Sequence, residues 1–268
     1  MSIGFLKFVA LVCMILDHIG EFVPDSPIWF RYVGRLAAPI FFYCSAWGLY
    51  YTRNQRIYIL RLYILSLMMS LGNIILTITF NQKSFLTNNI FQTLFIGSVI
   101  VYLLNRKNTL YYKFSMCTLI IIQQVVAFLL CAVFAEFLQI PHSIDIFALY
   151  HSYGPLFASA IFTEGSVAFV IFFIVLYYLK DKKGYLSLFI IVFTIFLEMA
   201  IKRTYYMRGP MSYLIPFSLY QWLMIFCIPL IYVYNGKKGI GSKWFFYFFY
   251  PIHIWILYIF SNIRIQWV

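Results

Sequence analysis

Lys7 and His18 stand eleven positions apart in an otherwise apolar opening stretch. On an α-helix, eleven residues turn through roughly 1100°, three turns plus about 20°, so both side chains project from one face. At a rise of 1.5 Å per residue they are about 16 Å apart along the axis. Imidazole is a natural general base near neutral pH, and an ammonium at the far end of the face suits an anionic ligand. Such a face could bridge an anionic donor at one side of a membrane and an acceptor at the other. A plainer reading competes with it: Lys7 snorkels to lipid headgroups, and His18 is a hydrogen-bonded core residue.

Other ionisable residues also fall in apolar surroundings. Asp17 precedes His18, Arg31 and Arg35 are i,i+4 neighbours, and Arg61 and Glu198 lie inside long hydrophobic runs. Charges within a membrane are costly and mark function by default. Guanidinium groups suit phosphates or a developing oxyanion. The structural alternative is mutual neutralisation: Asp17 with Arg35, Glu198 with Lys202, or Glu21 and Asp25 with either arginine. Gly34, Ala37 and Ala38 would let the segment after Arg31 pack closely against the first helix. Near the C-terminus, Pro251 in Tyr250-Pro251-Ile252-His253 should loosen the backbone and can direct Tyr250 or His253 inward, although His253 alone is a weak signal. His142 and His151 are expected in a solvated loop. No H-E-x-x-H, G-x-S-x-G, Walker or dinucleotide motif occurs, so serine-nucleophile and metal-hydrolase readings lack support.

The elements that must carry these residues follow from composition. The chain has 268 residues, 63% hydrophobic and 10% charged, whereas soluble domains are about a quarter charged. It cannot clothe a water-facing surface. A helix crosses the hydrocarbon core in roughly 20 apolar residues, and nine runs qualify: 4–22, 29–50, 57–80, 87–104, 114–138, 155–179, 185–202, 212–235 and 244–263. The prediction is an all-α, polytopic integral membrane bundle of about nine transmembrane helices, forming a single domain over 1–268. The first run ends in Leu16-Asp17-His18 rather than a small-residue cleavage site, so it is expected to remain as a membrane helix. The five cysteines lie in apolar runs without a C-x-x-C pair, which predicts small buried hydrophobes rather than disulfides or metal ligands. A net charge of +12 is explained by short basic loops facing anionic headgroups, not by nucleic acid. Placing the N-terminus in the cytoplasm puts most basic residues inside; the Lys202-Arg203-Arg208 cluster is the exception.

Several segments, in order along the chain, resemble the TraX-like family, membrane proteins associated with pilin N-terminal acetylation. They are Met14-Ile15-Leu16-Asp17-His18-Ile19-Gly20, Gly34-Arg35-Leu36-Ala37-Ala38-Pro39, Tyr58-Ile59-Leu60-Arg61-Leu62, Gln221-Trp222, Tyr234-Asn235-Gly236-Lys237-Lys238-Gly239 and Phe249-Tyr250-Pro251-Ile252-His253. The Lys7–His18 spacing and the Arg31–Arg35 pair also resemble membrane acyltransferases of the acyltransferase-three type. The resemblance implies acetyl transfer from cytoplasmic acetyl-CoA to an amine or hydroxyl of an extracytoplasmic or membrane-associated acceptor: a peptide N-terminus, a lipid or a glycan. It implies His18 as general base or acetyl carrier, tuned by Asp17, with Arg35 stabilising the oxyanion. Lys7, Arg31 and Arg61 would hold the anionic donor, and Glu198, Tyr250 and His253 are further candidates.

Two other classes use the same residues differently. A transporter or flippase for an anionic substrate would use the buried cations as a track, although paired repeats with matching broken helices are not visible. A non-catalytic scaffold would leave the charges as internal pairs.

Overall fold

The computed structural model describes residues 1–80, 86–137, 146–207, 219–239 and 243–266. The described residues are helical with no strand. In chain order the helices are α1 (Ile3–Phe22), α2 (Trp29–Gly34), α3 (Ala37–Tyr51), α4 (Gln55–Thr79), α5 (Ile90–Leu104), α6 (Leu110–Phe137), α7 (Ile146–Tyr153), α8 (Ser166–Leu179), α9 (Lys183–Met207), α10 (Cys227–Tyr232) and α11 (Lys243–Gln266). Two compact units result, Met1–Gly48 with Val175–Val268, and Leu49–Ile174.

Among the described residues, five helices, α1, α4, α6, α9 and α11, are long and apolar enough to cross a membrane. Ile121, Val133 and Phe137 of α6 are 64%, 63% and 78% exposed, an apolar surface that water would not tolerate and lipid would. The other four of the nine runs are shorter or interrupted, each for a local reason. The run at 29–50 breaks after Gly34, because Pro39 supplies no N–H to the carbonyl of Arg35; Arg35 and Leu36 form a turn between α2 and α3. The run at 87–104 yields the 15-residue α5. The run at 155–179 begins as a 3₁₀ turn, Gly154–Phe157, and becomes regular only beyond Ser166, after positive φ angles at Ala158, Gly165 and Ser166. Residues 212–218 lie outside the described residues; beyond them the eighth run is a 3₁₀ segment, Gln221–Phe226, and the six-residue α10.

In the first unit, α1 packs between α2 and α11, and α9 packs on the 221–226 segment and α10. The first-turn amides of a helix have no partner within it. Here the segment before α11 supplies partners: the N–H groups of Ile3 and Gly4 donate to the carbonyls of Lys237 and Lys238 at 2.9 and 3.0 Å. The side chain of Ser2 caps the same turn by accepting from the Phe5 N–H. Lys7 lies beside Phe246 and His18 beside His253, so α1 and α11 run in parallel.

In the second unit, α4 packs on α5 and α7, and α6 packs on α5 and α7. Buried Cys131, Leu149, Tyr150, Tyr153 and Phe162 form its core. The irregular stretch 158–165 is buried in apolar surroundings, where each backbone group needs a protein partner. Glutamines supply them: Gln124 accepts from the Ala160 N–H at 2.5 Å and donates to the Ala158 carbonyl at 3.1 Å, and Gln92 donates to the Ser159 carbonyl at 2.9 Å.

Candidate functional site

α1 carries the site because its inward face is the stripe Leu6, Ala10, Cys13, Met14 and His18, all buried. This 3–4 residue spacing turns a row of apolar side chains toward α2 and α11, and His18 ends the row at 4% exposure. Lys7, half-buried near the other end, places its ammonium 5.6 Å from the ring centre of Phe246 on α11. The helix is unbroken between Lys7 and His18, so they share a face as the spacing predicts.

The close approach of α1 and α2 depends on glycine. A β-carbon on Gly34 would overlap the side chain of Asp17, and one on Gly20 would lie 2.8 Å from Cδ of Arg31. With the helices this near, Arg31 and Arg35 reach the carboxylates of α1. Arg35 Nη2 donates to Asp17 Oδ1. Arg31 Nη1 lies 3.2 Å from the same oxygen and 2.9 Å from Glu21 Oε2, and also donates to the Asp17 carbonyl at 3.0 Å. Arg35 further donates from Nε to the Arg31 carbonyl at 3.2 Å and from Nη1 to Gln221 Oε1 at 3.2 Å. Two cations thus face two anions, in a half-buried group whose formal charges cancel.

His18 turns the other way, toward α11. Its Nδ1 lies 2.7 Å from Nε2 of His253, and His253 Nδ1 lies 2.8 Å from the Phe249 carbonyl oxygen. The His18 and His253 rings meet edge to edge, with centres 5.0 Å apart and planes 27° apart, and the Phe249 ring lies 5.2 Å from His253 at 15°. Tyr250, buried, sets its ring at 68° and 69° to the two imidazoles, and Phe22 lies 6.3 Å from His18. Pro251 falls inside α11 between Tyr250 and His253.

The structure therefore gathers His18, Asp17, Arg31, Arg35, Tyr250 and His253 in one unit, with Lys7 along the same helix. Glu198 is on α9, paired at 3.2 Å with Lys202 one turn on. Arg61 falls in the second unit on α4, and the cluster is built without it. His151, expected in a loop, sits on α7 with its ring edge against Phe162 at 5.7 Å; the apolar residues around it extend the helix to Tyr153. His142 and Arg208 lie outside the described residues. Sequence reasoning missed Gln221 and the Phe249 carbonyl as site members. The Gln221-Trp222 dipeptide was the one signal for the first, and a backbone acceptor leaves none.

Asp17, His18 and Glu21 bring one ligand atom each within 4.8 Å of one another. Both carboxylates already hold guanidinium groups, whose positive charge opposes a divalent cation at that point.

Apolar helices of spanning length, with an imidazole pair and a neutralised arginine–carboxylate group inside one packed unit, define an α-helical membrane protein with a polar centre built into its helices. The profile of the TraX protein family matches residues 2–142, over half of the chain, and the chain belongs to that family. An uncharacterized protein of Rickettsia prowazekii (strain Madrid E) is 29% identical over 112 residues, which are 42% of this chain and 41% of that protein. The chain thus spans about two fifths of that relative's length. No solved structure matches.

Proposed function

We propose that this protein is a membrane-embedded acetyltransferase. It moves the acetyl group of acetyl-CoA to an amine or hydroxyl of a membrane-associated or extracytoplasmic acceptor, with about nine membrane crossings and a cytoplasmic N-terminus. The reading is carried by one observation: His18 and Lys7 lie on one face of α1, and His18 is buried against α11 beside the Asp17–Arg35 pair.

In this reading Nε2 of His18 takes the proton of the acceptor as its nitrogen or oxygen attacks the thioester carbonyl. The tetrahedral oxyanion forms within reach of Arg35 or Arg31, since each guanidinium has five N–H donors and the carboxylates do not use them all. Collapse expels the CoA thiolate, which recovers the proton from His18. Lys7 holds the anionic end of the donor. Asp17 and Glu21 keep the arginines in place.

The experiment is transfer of labelled acetyl from acetyl-CoA by purified protein in vesicles, with a cell-envelope extract as acceptor. His18→Ala should lower the rate by about 10²–10⁴-fold. A His18→Ala rate near that of the unmodified protein would overturn the proposal, as would counterflow of an anionic solute without any label transfer.

A further inference from the structure

We infer that His253 is a positioning residue that fixes the tautomer of His18, leaving Nε2 of His18 as the basic nitrogen. This rests on the acetyltransferase reading for its consequence, but on the geometry of α1 and α11 for its substance.

A carbonyl oxygen can only accept a hydrogen bond. At 2.8 Å from the Phe249 carbonyl, Nδ1 of His253 therefore carries a hydrogen. In the neutral ring, Nε2 of His253 is then a lone-pair nitrogen. The 2.7 Å contact between that atom and Nδ1 of His18 needs one hydrogen between them, and His18 has to donate it. A neutral His18 with its hydrogen on Nδ1 has none on Nε2. The Phe249 backbone thus sets the tautomer of two rings in succession, and the 27° between the His18 and His253 planes is near the coplanarity that the bond between them requires.

The usual orienting partner of a catalytic histidine is a carboxylate. Asp17 is next in sequence, but its carboxylate accepts from Arg31 and Arg35. The second imidazole takes that place. When Nε2 of His18 receives the acceptor's proton, the ring becomes an imidazolium whose Nδ1–H still donates to His253. The positive charge is shared across the bond without a further proton entering or leaving. On collapse, the proton on Nε2 goes to the CoA thiolate, and both rings return to their starting tautomers.

Two variants separate this role from packing. Gln at 253 keeps an acceptor oxygen for the His18 Nδ1–H, whereas Leu fills similar space and offers none. In the vesicle transfer assay, His253→Leu should reduce kcat by about 10²-fold with KM for acetyl-CoA within about twofold. His253→Gln should stay within about tenfold of the unmodified kcat. Equal rates for Leu and Gln, or an undiminished rate in the Leu variant, would overturn the inference. Nitrogen-15 NMR of histidine-labelled protein, assigned with His18→Gln, gives a readout that needs neither activity nor the Leu variant to fold. The inference expects a protonated Nδ1 and a bare Nε2 on His18, and a protonated Nε2 would overturn it. If His18→Ala retains full transfer, the acetyltransferase reading fails and the catalytic role of His253 with it, while the NMR signature separately reports whether the tautomer is set as described.

Discussion

Asp17 on α1 and Arg35 at the end of α2 share a charged hydrogen bond at the point where the two helices come closest. Their side chains are only 16% and 13% exposed. Taking two charges out of water costs several kcal/mol, which mutual attraction returns only while both partners are present. The pair is therefore better read as a lock between helices than as a source of net stability.

Removing both partners should cost less than the two single removals combined. Asp17→Asn or Arg35→Gln alone should each destabilise the detergent-purified protein by roughly 3 kcal/mol, with a smaller loss in the double variant than the two single losses add up to. A double-mutant cycle on thermal unfolding measures this coupling. Additive losses would show that the pair is not a unit.

Gly34 should not accept a side chain. A β-carbon there meets the Asp17 side chain rather than a flexible tip, so Gly34→Ala forces α1 and α2 apart, at about 1–3 kcal/mol. Gly184, with nothing near its β-position, is the control: Gly184→Ala, inside α9, should be neutral or stabilising by up to about 1 kcal/mol. Unfolding midpoints of the two variants should shift in opposite directions or differ clearly in size.

Gln124 should prove structural for the second unit. Both ends of its amide serve the backbone of residues 158–160, and Gln124→Leu would leave the Ala160 N–H, in a buried residue, without this partner, at roughly 1–3 kcal/mol, and the Ala158 carbonyl with only the 3.5 Å bond from Gln123. Hydrogen exchange at the Ala160 amide should accelerate in this variant, and unchanged protection would contradict the assignment.

Lys183 ties α9 to the end of α10. Its ammonium donates to the carbonyls of Tyr232 and Tyr234, both at 2.8 Å, and bonds from charged donors contribute about 1.5–3 kcal/mol. Lys183→Met should therefore lower the unfolding midpoint measurably, whereas Lys182→Met, at an exposed neighbour, should leave it within error.

Much of this protein was legible in the sequence because hydropathy and helical periodicity are local properties. The membrane class, the continuous first helix and the shared face of Lys7 and His18 needed only composition and the 100° step of a helix. The Asp17–Arg35 and Glu198–Lys202 pairs were also readable as alternatives, since opposite charges in apolar segments must find partners. Tertiary structure decided the rest. Which residue meets His18 depends on the register of α11 against α1, two helices brought together across 235 positions of chain, and no local pattern encodes that register. The same packing, permitted by Gly34, decided that Arg31 and Arg35 would spend their charge on Asp17 and Glu21, and that a backbone carbonyl at Phe249 would govern which nitrogen of His18 is bare.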